Sequence, residues 1–191
     1  EYHRQSPLIY TPQTLQLHRD THQAHVMIGR RGYDAHSEKR TALYLLNNIL
    51  GGPGMNSRLN VALRERSGLV YNVEANLTSY TDTGIFCIYF GTYPKHIERC
   101  LRLVHKELKR LREQPLSSSQ FRAAQKQIIG QIGVACDNFE NKALDMAKTF
   151  LHYDKFEGPE GVFQRIEKLT PHDLWKVANE IKNFGQNIFR E

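Results

Sequence analysis

The apolar run from Ile85 to Phe90 constrains the fold of this chain more than any other feature. It reads Ile-Phe-Cys-Ile-Tyr-Phe between two glycines, and it is far too short to span a membrane as a helix. A strand that is apolar on both faces is typical of the middle of a sheet covered on both sides. We therefore expect a central strand from Gly84 to Gly91, flanked by other strands and covered on both of its faces.

The segments around this strand follow one another in an order that favours the α+β class. Two strand-like pieces, 14–18 and 23–29, precede a helical pattern that ends at the Gly-Gly-Pro-Gly sequence of 51–54. A short helix over 57–66 and a strand over 69–80 come next, and the chain after the central strand is mainly helical. Because strands and helices do not alternate, we predict a mostly antiparallel sheet packed with helices rather than a doubly wound fold.

Local signals place the ends of several helices. Ser37 is a candidate N-cap of the first helix, and Pro94 opens a long amphipathic helix. The three serines that begin at Ser117 start another helix, and Thr170 followed by proline is a strong start signal for the last one. Trp175 lies on the apolar side of that helix and is expected in the core. Residues 187–190 are expected to form a final edge strand.

Length and composition indicate an ordinary globular domain. The 191 residues are 40% hydrophobic and 24% charged, which argues against a fibrous or wholly disordered chain. We expect one domain over 1–191, with 1–13 as a polar lead-in. No apolar run approaches the roughly 20 residues of a membrane span, and residues 1–5 lack an export-signal pattern. A soluble protein is therefore expected, with the cytoplasm slightly favoured and the compartment left open.

Positive charge is concentrated in one stretch of the chain. The formal net charge is +6, and the window from Pro94 to Gln131 contains nine basic and three acidic residues. A basic stripe can bind nucleic acid or another acidic surface, but a solvated helix face is the favoured interpretation. The three cysteines, without C-x-x-C spacing, make a disulfide framework or a zinc ribbon improbable, and Cys87 and Cys100 are expected to be small buried hydrophobes.

Motifs for several catalytic chemistries are absent from the sequence. His18, His22 and His25 form the densest histidine cluster, but no glutamate stands where H-E-x-x-H or H-x-x-E-H requires one. Surface and strand-end histidines are favoured over a zinc site, so we assign no metal ligands. The glycines at 51–54 lack the Gly-Lys-Ser/Thr ending of a phosphate-binding loop, and no G-x-S-x-G sequence occurs.

Arg64 and Tyr71 form a weaker constellation. If a helix ends at Gly68 and a strand begins at Leu69, the chain reversal could bring a guanidinium and a phenol to one surface. Together they would offer hydrogen-bond donors and one positive charge to a peptide carbonyl. From spacing alone, a helix-end arginine and an unrelated strand tyrosine remain the favoured interpretation.

Three blocks in one order give this pair more weight. They are Gly51-Gly52 with Met55 and Ser57-Arg58-Leu59, then Arg64 with Gly68-Leu69 and Tyr71, then Asp82-Thr83-Gly84. The segment from about Leu15 to Ile181 thereby resembles the C-terminal half of the pitrilysin/insulinase-type zinc peptidases. These are inverted zincins, a group that includes mitochondrial processing peptidases and respiratory-complex core subunits.

The resemblance implies a division of labour between two homologous α+β units. The N-terminal unit carries H-x-x-E-H and binds the zinc ion. The C-terminal unit lacks metal and closes over the substrate, and its arginine–tyrosine pair, here Arg64 and Tyr71, binds the substrate backbone. The glycine loop of Gly51, Gly52 and Gly54 would lie near the chamber, where close approach of two chain segments or a hinge is its expected role.

H-x-x-E-H occurs nowhere in this sequence. We therefore expect the substrate-binding, non-metal half of a zinc-dependent endopeptidase, with no cofactor of its own and no activity alone. Its expected partners are a zinc-binding N-terminal half, fused or separate, and a peptide substrate, and a homo-oligomer is left open. A non-catalytic scaffold subunit of the same family is the first alternative, and a basic nucleic-acid-binding module is the second.

Overall fold

The computed structural model describes residues 11–155 and 158–181. Three strands, six α-helices, a π-helical segment and a 3₁₀ turn make up its regular structure in these ranges. The strands are β1 (Ala24–Gly32), β2 (Val70–Ser79) and β3 (Gly84–Thr92). The π-helical segment is Asn60–Glu65 and the 3₁₀ turn is Pro94–His96. The helices are α1 (Arg40–Gly51), α2 (Ile97–Glu113), α3 (Ser118–Cys136), α4 (Phe139–Tyr153), α5 (Pro159–Lys168) and α6 (Pro171–Glu180).

The sheet has the order β1-β3-β2, and both pairs of strands are antiparallel. The apolar strand β3 is therefore central, as its sequence predicts. Ile28 of β1 and Ala75 of β2 both lie opposite Ile88 of β3, so one buried row crosses the sheet. The sheet and its helices confirm the α+β class.

The expectation that both faces of β3 are covered is wrong for the described part of the chain. Phe86, Ile88 and Phe90 are buried on one face, whereas Ile85 on the other face is 45% exposed. Cys87 and Tyr89 on that second face are half-buried. Side chains alternate between the two faces of a strand, so an apolar run fixes the strand but not what covers each face.

Helix α1 packs against the sheet through its apolar side. Leu43, Leu46 and Leu50 recur at helical spacing and are buried. The expected capping by Ser37 is wrong, because the helix begins at Arg40 and Lys39 is in the N-cap position. Ser37 instead accepts a hydrogen bond from the Arg40 N–H through its backbone carbonyl, at 3.1 Å, within the turn that leads into the helix.

The predicted starts of the later helices are largely confirmed. Ser117 and Thr170 each form a capping box at the beginning of α3 and α6. Pro94 begins the 3₁₀ turn, and the regular α-helix follows at Ile97. Trp175 is half-buried rather than fully in the core, because its indole N–H donates to the Arg112 carbonyl at 2.7 Å.

Two terminal predictions have different outcomes. The strand expected over 14–18 is wrong: this segment has no regular structure, and Leu15 and Leu17 are 83% and 71% exposed. None of the described strands pairs with this segment, and its alternating pattern alone cannot supply a partner. The strand expected over 187–190 lies outside the described residues.

Within the described residues, no helix combines the length and apolarity needed to cross a membrane.

Candidate functional site

A groove of about 1090 Å³ runs along the strand β2, which is at one edge of the sheet. One wall is β2 itself, from Asn72 to Leu77 and again at Ser79. The opposite walls come from one side of α1 and from parts of α3, α4 and α5. In the described sheet β2 pairs only with β3, so the backbone groups on its other side are not used by a neighbouring strand.

Glycines allow α1 to end close to β2. A Cβ atom on Gly51 would lie 2.7 Å from the backbone nitrogen of Ala75, and one on Gly52 would lie 2.2 Å from the Asn48 amide oxygen. Both glycines line the groove. The missing side chain of Gly51 permits the close approach of α1 and β2, whereas that of Gly52 leaves room for Asn48 of α1 itself. Gly54 is not among the lining residues. Its carbonyl accepts a hydrogen bond from the Ser57 N–H at 3.0 Å. The hinge role of these glycines remains a prediction.

Arg64 lines the groove from the π-helical segment. Its side chain is 50% exposed and its nearest charged partner is Glu65, at 4.0 Å. At that distance and exposure the ion pair is weak, so the guanidinium can turn to another partner. The helical turn closes through hydrogen bonds from the Gly68 N–H to the Arg64 carbonyl and from the Leu69 N–H to the Leu63 carbonyl. Gly68 has φ +58°, the left-handed conformation in which the chain turns toward β2.

Tyr71 lies at the start of β2, where the strand is irregular. The pairing with β3 shifts between Val70 and Asn72, so Tyr71 is the extra residue of a β-bulge. The bulge leaves both Tyr71 and Asn72 exposed, and the Tyr71 side chain is 65% accessible. Asn72 lines the groove, whereas Tyr71 is not among the lining residues.

A second phenol accompanies Tyr71. A hydrogen bond with the Tyr93 hydroxyl raises the pKa of Tyr71 above its ordinary value of 10.0. Tyr71 therefore keeps its proton throughout the neutral and mildly alkaline range and remains a hydrogen-bond donor. Tyr93 is 47% exposed and follows directly after β3. Sequence reasoning missed Tyr93, although its position after a strand that pairs with β2 is a usable signal.

A buried carboxylate anchors the segment that carries Arg64. Glu107 of α2 is 8% exposed, and its carboxylate lies 3.9 Å from the Arg58 guanidinium and 3.1 Å from that of Arg110. Burial lowers the pKa of Arg58, which nevertheless stays charged because arginine starts so high. The pair fixes the entrance to the π-helical segment against α2.

Asn47 is a second residue that sequence reasoning missed. It lines the groove from α1, is 9% exposed, and its amide oxygen accepts no hydrogen bond in the described structure. Tyr44 lines the same wall one turn earlier, and burial raises its pKa, with Asp145 adding to the effect. The sequence did contain a signal for Asn47, namely polar residues within a helix that also carries four buried leucines.

The described residues contain no group of three or more histidine, cysteine, aspartate or glutamate side chains placed to hold a metal ion. His25 instead interacts with the Tyr89 hydroxyl at 2.8 Å on the open face of the sheet. The described residues therefore do not form a zinc site. The thiols of Cys87 and Cys100 are also poor nucleophiles, because burial raises the pKa of each.

The basic stripe lies mainly along the exposed side of α2. Arg102 and Lys109 each pair with a glutamate four residues away, at 3.6 Å. Arg99 and Lys106 of the same helix are also exposed. Ion pairs of this kind are typical of a solvated helix face, and they offset two of the basic side chains of α2.

Comparisons with known proteins agree with this architecture. Residues 2–128 match the family model described as the peptidase M16 inactive domain. An uncharacterized zinc protease of Streptomyces coelicolor is 31% identical over 163 residues, covering 85% of this chain and 35% of its own length. The uncharacterized zinc protease YmxG of Bacillus subtilis is 30% identical, covering 85% of this chain and 40% of its own length.

A solved structure shares the fold. The peptidase M16 inactive domain from Pseudomonas fluorescens superimposes with a TM-score of 0.73 at 22% identity, over 83% of this chain and 38% of that one. The fold and these matches define the class of protein, an α+β domain of the zinc peptidases that the sequence resembles. The chain belongs to the peptidase M16 family and corresponds to its inactive domain. It spans only about two fifths of the length of these relatives.

Proposed function

We propose that this chain is the substrate-binding half of a zinc-dependent endopeptidase, which encloses peptides together with a second, zinc-bearing half. The proposal is supported chiefly by the half-exposed Arg64 side chain, which lines a groove beside the edge of β2 that no described strand pairs with. A guanidinium without a strong ion-pair partner is suited to bind a peptide carbonyl. Tyr71 supplies a second donor nearby in sequence, on an exposed bulge.

The two side chains have distinct roles in this proposal. Arg64 holds the carbonyl of the bound peptide and adds positive charge, an interaction that strengthens when the closed chamber excludes water. Tyr71 donates a hydrogen bond to the same oxygen as negative charge develops on it. The zinc-bearing half supplies the metal and the activated water, since the described residues here provide no ligand set.

The test is Tyr71→Phe in the protein that contains both halves. The substitution removes one hydroxyl without changing the ring, and we expect kcat/KM for a fluorogenic peptide to fall by more than tenfold, about 1.4 kcal/mol or more. Tyr80→Phe is the matched control, because Tyr80 is 45% exposed just after β2 and does not line the groove. An unchanged kcat/KM for Tyr71→Phe would remove this residue from the mechanism.

Arg64→Lys provides a second, independent test. Lysine keeps the charge but loses the planar fork of donors, so binding of a carbonyl by one guanidinium should weaken about tenfold. Arg66 is exposed, follows directly after the π-helical segment and does not line the groove. The same change at Arg66 should therefore have no effect. Equal effects of the two substitutions would argue against a specific contact from Arg64.

A further inference from the structure

The register of the sheet brings a second phenol next to Tyr71. Val70 of β2 pairs with Thr92 of β3, and both of these side chains are buried. Tyr71 is the next residue of β2, on the bulge, and Tyr93 continues β3 in an extended conformation with φ −76° and ψ 145°. Because side chains alternate along an extended chain, both phenols lie on the exposed side of this end of the sheet. Diagonal cross-strand neighbours of this kind are within reach of aromatic side chains.

Tyr71 by itself is weakly held. Its side chain is 65% exposed and belongs to the irregular part of β2, so packing restricts its rotamers little. The partner that the structure gives its hydroxyl is the hydroxyl of Tyr93. A hydrogen bond to a fixed neighbour selects one orientation of an otherwise mobile side chain. The position of the Tyr71 hydroxyl therefore depends on how firmly Tyr93 is held.

Tyr93 is fixed through the chain on both of its sides. The buried hydroxyl of Thr92, just before it, donates to the Leu69 carbonyl at 2.6 Å and joins the end of β3 to the residue before β2. The His96 N–H donates to the Tyr93 carbonyl at 2.9 Å and closes the 3₁₀ turn that follows. The His96 ring also lies edge-on to the Tyr93 ring, with centroids 6.5 Å apart. Tyr93 is thus a fixed support for the more exposed Tyr71.

Hydrogen-bond chemistry sets the order of donors when a peptide is bound. A phenol has one proton to donate and also accepts, whereas a peptide carbonyl only accepts. If Tyr71 donates its proton to the carbonyl, the bond between the two phenols must use the proton of Tyr93. Successive hydrogen bonds polarise one another, so a bond from Tyr93 makes Tyr71 a stronger donor. This gain is largest when negative charge develops on the carbonyl oxygen.

From these observations we infer that Tyr93 is a positioning residue for peptide cleavage, which donates a hydrogen bond to the Tyr71 hydroxyl and thereby directs the Tyr71 proton at the substrate carbonyl oxygen. No proton is transferred between the two phenols. The inference rests on the proposed function, because it requires that Tyr71 binds this oxygen. It adds a residue that acts on the substrate only through Tyr71.

The first experiment is Tyr93→Phe in the protein that contains both halves, measured with one fluorogenic peptide. Phenylalanine keeps the ring and removes only the hydroxyl. We expect kcat to fall about three- to tenfold, which is the range that one neutral hydrogen bond supports. KM should change less than about twofold, because the lost interaction grows only as charge develops on the carbonyl oxygen. An unchanged kcat, or a loss confined to KM, would refute the inference.

A variant that carries both Tyr71→Phe and Tyr93→Phe shows whether Tyr93 acts through Tyr71. Without the Tyr71 hydroxyl, Tyr93 has no proton to direct, so the double variant should be no slower than Tyr71→Phe alone. A purely structural disturbance by Tyr93→Phe does not depend on that hydroxyl and would slow the double variant further. A double variant whose loss is the product of the two single losses would therefore contradict the inference.

Tyr89→Phe is the matched control on the same strand. The Tyr89 hydroxyl interacts with His25 at 2.8 Å, so this variant also removes one phenol hydroxyl and one side-chain hydrogen bond, and kcat and KM should stay unchanged. Equal losses for Tyr89→Phe and Tyr93→Phe would refute a specific role of Tyr93. If Tyr71→Phe leaves kcat/KM unchanged, the proposed role of Tyr71 fails and the inference fails with it. If Tyr71→Phe lowers kcat/KM and Tyr93→Phe does not, the inference alone fails.

Discussion

Substituting Gly51 by alanine tests the close approach of α1 and β2 that shapes the groove. The added Cβ would lie 2.7 Å from the Ala75 nitrogen and 2.9 Å from the Ala75 Cβ. Non-bonded carbon atoms prefer roughly 3.5–4.0 Å, so one element must move by roughly 0.7 Å or more. The atoms that clash belong to the backbone and the first side-chain carbon, and Ala75 is held by its pairing with β3. Rotating a side chain therefore cannot relieve the clash.

The expected cost follows from this geometry. Overpacking of a well-filled site typically costs about 1–3 kcal/mol. Alanine has a higher helix propensity than glycine by about 0.8–1 kcal/mol, but Gly51 is the last residue of α1 and gains only part of it. We therefore expect a net destabilisation of about 1–2 kcal/mol. For a domain of this size each kcal/mol lowers the melting temperature by roughly 2–4 °C.

Gly130→Ala is the matched control in the same chain. Gly130 lies within α3, and a Cβ placed there would have no atom within 4 Å. Only the propensity gain remains, so this variant should be more stable by about 0.5–1 kcal/mol. The same chemical change is thus predicted to have opposite signs at the two positions.

The assay is urea unfolding followed by circular dichroism, with thermal melts as a second measurement. Equal slopes of the unfolding free energy against urea for all three proteins would show that the midpoints report stability. A Gly51→Ala variant that is as stable as the parent, or more stable, would refute the close packing of α1 on β2. The groove between α1 and β2 would then have a different shape.

Three further predictions concern stability. Gly68→Ala should cost about 1–2 kcal/mol because Gly68 has φ +58°, and Gly68→Asn should cost less; equal unfolding midpoints in urea would contradict this. Thr170→Ala removes the capping hydrogen bonds with Asp173, 2.7 Å at the hydroxyl, and should cost about 1 kcal/mol, measured as a melting temperature roughly 2–4 °C lower. A hydrogen bond from Lys39 is the main cause that holds the pKa of Glu180 below its ordinary value of 4.5. The stability that Glu180 contributes is therefore present above pH 4.5 and is lost as the pH falls through its lower folded-state pKa. Glu180→Gln should accordingly flatten the loss of stability in that acidic range. An unchanged pH profile of stability would show that Glu180 contributes nothing.

Local patterns in the sequence were sufficient for most of the fold. The start of α6 follows from Thr170 and the proline after it, because a capping box involves only neighbouring residues. The central position of β3 follows from its apolar run, whereas what covers each face depends on contacts remote in sequence. The strand expected over 14–18 failed for the same reason, since strand formation needs a partner that the local pattern does not specify.

The candidate site was predictable only in part. Arg64 and Tyr71 were identified through the resemblance to a peptidase family, and the structure shows Arg64 at the groove and Tyr71 on an exposed bulge outside its lining. The bulge arises from a register shift between two strands, which no local pattern reveals. Asn47 was not predicted, because a buried amide without a partner becomes visible only when all surrounding groups are placed.

The central proposal is that this chain binds the substrate backbone and that another half cleaves it. The most direct test is to produce this chain and the zinc-bearing half as separate polypeptides and to measure hydrolysis of one fluorogenic peptide. We expect no cleavage by this chain alone and chelator-sensitive cleavage when the two halves are combined. Chelator-sensitive cleavage by this chain alone, or activity of the zinc-bearing half that this chain does not increase, would contradict the proposal.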